Sequence, residues 1–208
     1  MGWSIQQKRD RMLLLLKGKD AAVQIERLQR ALGEYRVRQG DVRPVEILHS
    51  TLTKRGETVA VAESCTGGLL CKLLTDRSGS SEVFHGGAIV YSNTAKVNIL
   101  GVDAEEIEKK GAVSKEVVAS IAAGAARVFG SDYGVGISGV AGPTGGTKEK
   151  PVGTVWIGVC GNRQKGKQLK FHFSGDRSKI RLKAALAAML MLERFILNPD
   201  KLDIIQLW

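Results

Sequence analysis

Three segments of this chain place hydroxyl, amine and glycine residues directly after apolar runs. Ser64 follows a β-branched run and begins the sequence Ser-Cys-Thr-Gly-Gly, Tyr91 and Lys96 follow a second run, and the glycine-rich segment 139–147 follows a third. In open α/β sheets, ligands bind beyond the carboxyl ends of the strands, where helix N-termini present unpaired N–H groups. The three segments therefore predict one site with a hydroxyl, an amine and a backbone anion-binding loop.

Ser64 and Lys96 have the side-chain chemistry of a nucleophile and its general base. The three histidines of the chain are not spaced for a Ser-His-Asp triad, so the base must be another residue. A lysine amine accepts a proton only if its pKa falls toward neutrality, which burial or a nearby positive charge causes. Tyr91 is placed to relay the proton between them. The alternative for Lys96 is an exposed lysine on a helix.

Cys65 is a second candidate nucleophile, because a helix N-terminus lowers the pKa of a thiol. The alternative is a small buried thiol. The chain has three cysteines without a CxxC pair or a metal-ligand spacing, which indicates reduced thiols in a cytoplasmic protein. We therefore expect a cytoplasmic protein with no metal site and no cofactor.

The glycine-rich segments are not nucleotide-binding fingerprints. Residues 134–139 match GxGxxG, but they lie inside a predicted strand and no helix begins after them, which excludes a Rossmann site. Residues 138–147 can still bind a phosphate or carboxylate, since successive glycines let backbone N–H groups converge on an anion. The alternative is a structural loop between two strands.

The chain has 208 residues and a formal charge of +10, and residues 1–43 supply about half of the excess. This charge favours encounters with anions without identifying them. Few aromatic residues accompany the basic ones, which argues against recognition of single-stranded nucleic acid. The apolar run 12–16 is far too short to span a bilayer, so no membrane partner is expected.

Two regions of different character divide the chain. Apolar residues at three- and four-residue steps predict an amphipathic helix over residues 19–35, and we interpret residues 1–41 as a basic helical arm or a partly ordered tail. Residues 42–208 form the predicted domain, in which helices alternate with about five strands, as in an α/β protein. The predicted strands cover residues 58–62, 87–91, 133–137, 153–159 and 169–173.

Several separated motifs occur in a fixed order and together carry a family resemblance. They are the Ser-Cys-Thr-Gly-Gly sequence at Ser64, the Tyr-Ser-Asn sequence at Tyr91 with Lys96, and the segment 139–147 that leads into Lys-Pro-Val-Gly-Thr-Val-Trp. With them, residues 45–195 resemble the CinA C-terminal domain family. The resemblance implies a three-layer α/β/α sandwich with a mixed sheet, to which residues 1–41 would add a helical arm.

Stand-alone members of this family are nicotinamide-nucleotide amidohydrolases. The resemblance therefore implies that the carboxamide of nicotinamide mononucleotide, a pyridine nucleotide, is hydrolysed to nicotinate mononucleotide and ammonia, with Ser64, Tyr91 and Lys96 as catalytic residues. It also implies a set of residues that contact the substrate. These are Thr66, Gly67, Gly68, Asn93, Gly142, Gly145, Gly146, Thr147 and Arg177.

In this scheme the N–H groups near residues 66–68 stabilise the oxyanion, and Arg177 or Arg181 supplies charge for the phosphate. We expect a homo-oligomer, with a dimer as the first choice. The alternative function is a catalytically silent binding or regulatory module associated with competence. The arm is too short for the large N-terminal domain of full-length CinA, so no pyrophosphatase activity is expected.

Overall fold

The structure is a computed structural model, and it describes residues 2–7, 12–17, 43–161 and 164–197. The strands in these ranges are β1 (Gly2–Gln7), β2 (Met12–Lys17), β3 (Val59–Glu63), β4 (Phe84–Ile89), β5 (Tyr133–Gly139), β6 (Thr154–Gly161) and β7 (Gln164–His172). The α-helices are α1 (Pro44–Arg55), α2 (Leu69–Thr75), α3 (Asn93–Leu100), α4 (Ala104–Lys110), α5 (Lys115–Phe129) and α6 (Arg177–Leu197). A short 3₁₀ helix, Ser80–Glu82, precedes β4.

A mixed five-stranded sheet forms the centre of the domain, in the order β4-β3-β5-β6-β7. Strand β3 is parallel to both β4 and β5, whereas β6 is antiparallel to β5 and to β7. The central strands β3 and β5 are apolar and almost wholly buried, as expected for strands with helices on both faces. The predicted α/β fold with a mixed sheet of about five strands is confirmed.

The alternation of side chains along β3 divides the core into two layers. Val59 and Val61 belong to the cluster that contains the apolar residues of α1, α2 and α6. Ala60 and Ala62 belong to the cluster on the other face, with α3, α4 and α5. Successive strand residues point to opposite faces of a sheet, so a single strand contributes to both layers. The result is a three-layer α/β/α sandwich.

Helix α5 lies unusually close to the sheet because the strands beneath it carry glycine. A Cβ atom on Gly134 would overlap the backbone carbonyl of Ala122, and one on Gly136 would lie 2.8 Å from the backbone nitrogen of Ala122. The side chain of Ser114 caps this helix by accepting a hydrogen bond from the N–H of Val117 at 3.3 Å. The glycines therefore set the distance between the sheet and this layer.

The parallel pairing of β3 with β4 brings the predicted site segments together. Glu63 lies opposite Ile89, and just beyond this pair the N–H of Val90 donates to the carbonyl of Glu63 at 2.8 Å. Ser64 follows directly and donates its own N–H to the carbonyl of Ile137 on β5 at 3.0 Å. Three parallel strands thus end at one edge, with Ser64 between its neighbours.

The N-terminal segment differs from the predicted helical arm. Residues 2–7 and 12–17 form an antiparallel pair of strands, with Gly2 opposite Lys17, so the helical interpretation is wrong for them. The sequence gives a reason, because apolar and polar residues alternate over residues 3–6 with the period of a strand. The helix predicted over residues 19–35 lies outside the described residues.

Two strand boundaries also differ from the prediction. Strand β4 begins at Phe84, three residues before the predicted start. Its glycines pair with β3 at positions where a side chain would not fit, since a Cβ on Gly86 would lie 2.6 Å from Phe129. Strand β7 begins at Gln164 rather than 169, since polar residues are tolerated at the sheet edge. Within residues 43–161 and 164–197, no helix has the length and apolar character needed to cross a bilayer.

The contact at Gly134 provides a test of this packing. Replacing Gly134 with Ala should lower the free energy of unfolding by about 3 kcal/mol or more, because the overlapping atom is backbone and the layers would have to separate. Gly130→Ala is the matched control, since a Cβ there meets nothing within 4 Å and costs only the strain of its left-handed φ of 61°, about 1 kcal/mol. Urea unfolding measures both, and equal losses would contradict the packing.

Candidate active site

Ser64 and Lys96 meet in a buried contact at the edge of the sheet. The Ser64 side chain lies directly after β3, and the Nζ of Lys96 approaches its Oγ at 3.5 Å. Ser64 is 9% exposed and Lys96 only 1% exposed. The alternative of an exposed helix lysine is therefore wrong. The sequence predicts that these two groups lie within reach of each other, and in the structure they are in contact.

Helix α3 delivers the amine to this position. Its first turn is capped by Ser92, whose Oγ accepts from the N–H of Ala95 at 3.0 Å. The Lys96 chain runs back over the start of the helix, where Nζ donates to the carbonyl oxygens of Val90 at 2.9 Å and of Tyr91 and Ser92 at 3.3 Å each. The amine is thus held by backbone groups as well as by Ser64.

Tyr91 does not bridge Ser64 and Lys96 in this structure. Its side chain is 60% exposed, and its hydroxyl accepts a hydrogen bond from the Nη2 of Arg177 at 3.1 Å. Only its backbone carbonyl contacts the Lys96 amine. The proton relay expected from the sequence is therefore absent from this arrangement.

The turn after Ser64 uses glycines with left-handed backbone angles. Gly67 has φ 59° and Gly68 has φ 90°, conformations that side-chain-bearing residues rarely adopt. The N–H of Gly67 donates to the carbonyl of Ser64 at 3.1 Å, and that of Gly68 donates to Glu63. Neither N–H is free for an oxyanion. Those of Cys65 and Thr66 have no backbone acceptor in the part of the chain described here, and they are the better candidates.

Glu63 is a central residue that the sequence reasoning missed. Its carboxylate is completely buried and accepts the N–H groups of Gly68 at 3.1 Å, Leu70 at 3.1 Å and Cys71 at 2.7 Å. It therefore caps α2 from the residue that precedes Ser64. The signal in the sequence was an acidic residue at the end of an otherwise apolar strand.

Cys65 has the properties of the buried-thiol alternative. Burial, and less strongly the charge of Glu63, raise its pKa to about 12, so the thiol is protonated at neutral pH. The three cysteines are all free. Among the residues that the structure describes, no group of three or more His, Cys, Asp or Glu side chains is arranged to hold a metal ion.

The glycine-rich loop and the start of α6 lie on the same side of the site as Tyr91. Arg177 donates to the carbonyl of Gly142 at 2.7 Å as well as to Tyr91. Thr147 is occupied within the loop, since its hydroxyl donates to Glu149 at 3.0 Å and accepts from the N–H of Lys150 at 3.1 Å. Gly145 and Gly146 are exposed in the loop, and Asn93 is exposed at the first position of α3.

Arg181, on α6, holds the turn that follows Ser64. Its Nε and Nη2 donate to the carbonyl of Thr66 at 3.1 and 2.6 Å. The Oγ1 of Thr66 is buried and has no hydrogen-bond partner among the described residues. The predicted contact residue Thr66 therefore lies in the wall of the site, with its backbone held and its hydroxyl unused.

A family model covers the part of the chain that carries these residues. The profile of the CinA C-terminal domain matches residues 43–196, which include all of these site residues. The chain belongs to the CinA C-terminal domain family. A CinA-like protein of Geotalea daltonii is 49% identical over 144 residues, which cover 69% of this chain and 35% of that protein.

Solved structures of CinA-family proteins have the same fold. The competence damage-inducible protein A of Klebsiella pneumoniae matches with a TM-score of 0.72 and 31% identity, over 74% of this chain and 96% of that one. The competence/damage inducible protein CihA of Agrobacterium tumefaciens matches with a TM-score of 0.70 and 34% identity, over 76% and 97%. The chain spans only 35 to 42% of the length of the curated CinA-family relatives it matches.

Two opposing effects act on the Lys96 amine of this CinA-family domain. Burial lowers its pKa from the 10.5 of an unburied lysine, because the charged form loses water. The three carbonyl oxygens oppose this, since each accepts a hydrogen bond better from an ammonium. Once deprotonated, the amine can accept the proton of the Ser64 hydroxyl with its lone pair. The site thus places a titratable amine against the Ser64 hydroxyl.

The lowered pKa of Lys96 predicts a pH-dependent stability. Between that pKa and 10.5, the unfolded chain binds a proton that the folded protein does not, so the free energy of unfolding rises with pH by roughly 1.4 kcal/mol per pH unit. Below the folded pKa both states are protonated and above 10.5 both are neutral, so this pH dependence is confined to the range between the two pKa values. Urea unfolding of the wild type and Lys96→Met across pH 7 to about 11 isolates this effect. A difference between the two that does not change with pH would contradict the lowered pKa.

Glu63 should be more important for stability than a surface carboxylate. Glu63→Ala leaves three N–H groups near the start of α2 without their acceptor and should cost about 3 kcal/mol, whereas Glu63→Gln keeps one acceptor oxygen and should cost roughly half of that. Glu105→Ala, which breaks an exposed pair with Lys109, should cost about 0.5 kcal/mol or less. Urea unfolding tests the order, and a loss at Glu63 no larger than at Glu105 would refute it.

Proposed function

We propose that this CinA-family domain hydrolyses the carboxamide of nicotinamide mononucleotide to nicotinate mononucleotide and ammonia. The observation that carries the proposal is the contact of 3.5 Å between the Ser64 hydroxyl and a lysine amine that is 1% exposed. A structural lysine has no need of a buried serine hydroxyl beside it. Amide hydrolysis needs a nucleophile, a base and an oxyanion site, and we assign these roles to Ser64, Lys96 and the N–H groups of Cys65 and Thr66.

In the first step, Ser64 Oγ attacks the carboxamide carbon while Lys96 takes the hydroxyl proton. The carbonyl oxygen becomes an oxyanion, for which the N–H groups of Cys65 and Thr66 are the available donors. The Lys96 ammonium then returns the proton to the leaving nitrogen, so that the C–N bond breaks and ammonia departs. An acyl ester on Ser64 is left.

In the second step, water replaces ammonia. The neutral Lys96 amine removes a proton from water, which attacks the ester carbon, and the same proton returns to Ser64 Oγ as the C–O bond breaks. The three carbonyl oxygens around Lys96 stabilise the ammonium that forms transiently in both steps. They thus lower the cost of proton transfer into a buried site.

The substrate's phosphate is assigned to the side of the site that carries Arg177. This side chain is exposed at the beginning of α6, next to the loop at Gly142. Its bonds to Gly142 and Tyr91 go to a neutral carbonyl and a neutral hydroxyl, which an anion can replace. Arg181 is the weaker candidate for the phosphate because it already holds the carbonyl of Thr66.

One observation favours the alternative of a catalytically silent binding module. Three carbonyl acceptors also suit a permanently protonated Lys96, which would hold the chain after β4 in place and could not act as a base. Tyr91, turned toward Arg177, would then be part of a binding surface. A single assay distinguishes the enzyme from the binding module.

Ammonia release from nicotinamide mononucleotide should depend on both residues of the contact. Ser64→Ala should reduce kcat by at least about 10³-fold because the nucleophile is lost, and Lys96→Met by roughly 10²- to 10⁴-fold because the base is lost. Ser81→Ala and Lys109→Met alter exposed residues of the same types to which no role in the site is assigned, and both variants should keep full activity.

The assay is a coupled measurement of ammonia with purified full-length chains, whose folding is checked by circular dichroism. Turnover in the wild type that persists in folded Ser64→Ala would refute the proposed mechanism. No ammonia from any pyridine carboxamide with the wild type, together with measurable binding of the mononucleotide, would establish the binding module.

A further inference from the structure

Two guanidinium groups, those of Arg177 and Arg181, lie beside the Ser64 turn. Arg177 and Arg181 are four residues apart on α6 and therefore lie on the same face of the helix. In the part of the chain that the structure describes, neither has an acidic side chain within ion-pair distance. Arg181 spends its donors on the backbone of Thr66, whereas Arg177 is exposed. An uncompensated, exposed cation at this position suits an anionic ligand.

Arg177 also connects two parts of the site that are distant in sequence. We call its pair of hydrogen bonds, to the carbonyl of Gly142 at 2.7 Å and to the hydroxyl of Tyr91 at 3.1 Å, the Arg177 bridge. The carbonyl of Tyr91 is 3.3 Å from the amine of Lys96. Tyr91 therefore contacts the Lys96 amine through its backbone, while the Arg177 bridge holds its side chain. The bridge keeps this side chain away from Ser64.

We propose that Arg177 is a specificity-determining residue that couples recognition of the substrate's anionic group to the position of Tyr91. This inference rests on the proposed function. A phosphate binds a guanidinium through paired, charge-assisted hydrogen bonds, which are stronger than those to a neutral hydroxyl or carbonyl. When phosphate engages Arg177, the Arg177 bridge opens, and the Tyr91 ring turns toward Ser64 and Lys96. Without phosphate, the bridge stays closed.

This coupling predicts a kinetic pattern that a simple phosphate-binding residue does not give. If Arg177 only bound phosphate, its loss would raise KM for the mononucleotide and leave the riboside, which has no phosphate, unaffected. If Arg177 also restrains Tyr91, its loss releases the ring, and turnover of the riboside increases. The sign of the change in kcat for the riboside distinguishes the two roles.

The experiment measures ammonia release from nicotinamide mononucleotide and nicotinamide riboside with four full-length proteins: wild type, Arg177→Ala, Tyr91→Phe and Lys183→Ala. In the wild type, kcat for the riboside should be lower by about tenfold or more. Arg177→Ala should raise kcat for the riboside by about the same factor and raise KM for the mononucleotide. Lys183→Ala removes a charge from the same helix and should leave the ratio of the two substrates unchanged.

Two further measurements complete the test. Inorganic phosphate should stimulate hydrolysis of the riboside by the wild type and not by Arg177→Ala. In the Tyr91→Phe background, Arg177→Ala should no longer raise kcat for the riboside, because the restrained hydroxyl is already absent. An active wild type in which Arg177→Ala changes only KM for the mononucleotide would overturn the inference. A wild type that releases no ammonia from either substrate would overturn the proposed function instead.

Discussion

The site depends on keeping an amine almost completely out of water next to a serine hydroxyl. Burial favours the neutral amine of Lys96, whereas three backbone carbonyls favour its ammonium form. Each protonation state is therefore stabilised by one feature of the surroundings. This balance requires the parallel pairing of β3 with β4, which ends both strands at one edge. An antiparallel neighbour would have placed the Lys96 segment at the opposite end of the sheet.

The negative and positive side chains around Ser64 have different structural roles. The buried carboxylate of Glu63 satisfies N–H groups at the start of α2, so that helix end is neutralised and does not serve as an anion site. Positive charge comes instead from α6, where Arg181 fixes the turn and Arg177 faces the glycine-rich loop. The turn is thus held from both sides by two charged side chains, Glu63 and Arg181, which positions the N–H groups of Cys65 and Thr66.

Membership of the CinA C-terminal domain family gives this geometry a wider context. The matched residues 43–196 contain the complete Ser64 site, whereas the curated relatives are more than twice as long. The residues to which the proposed chemistry is assigned all lie within this matched domain. The paired strands at the N-terminus lie outside the matched residues.

The sequence by itself determined the fold class, the five strands and the candidate site residues, because apolar periodicity and the change to hydroxyl and glycine residues at strand ends are local signals. It also indicated that Ser64 and Lys96 should meet. It did not reveal the capping by Glu63, the engagement of the Gly67 and Gly68 N–H groups, or the bond between Tyr91 and Arg177. The bond between Tyr91 and Arg177 was decided by the tertiary structure, because it joins residues 86 positions apart that meet only when α6 packs beside the strand edge. The contacts of Glu63, Gly67 and Gly68 are local, but they depend on the backbone angles of the turn, which the residue types alone do not specify.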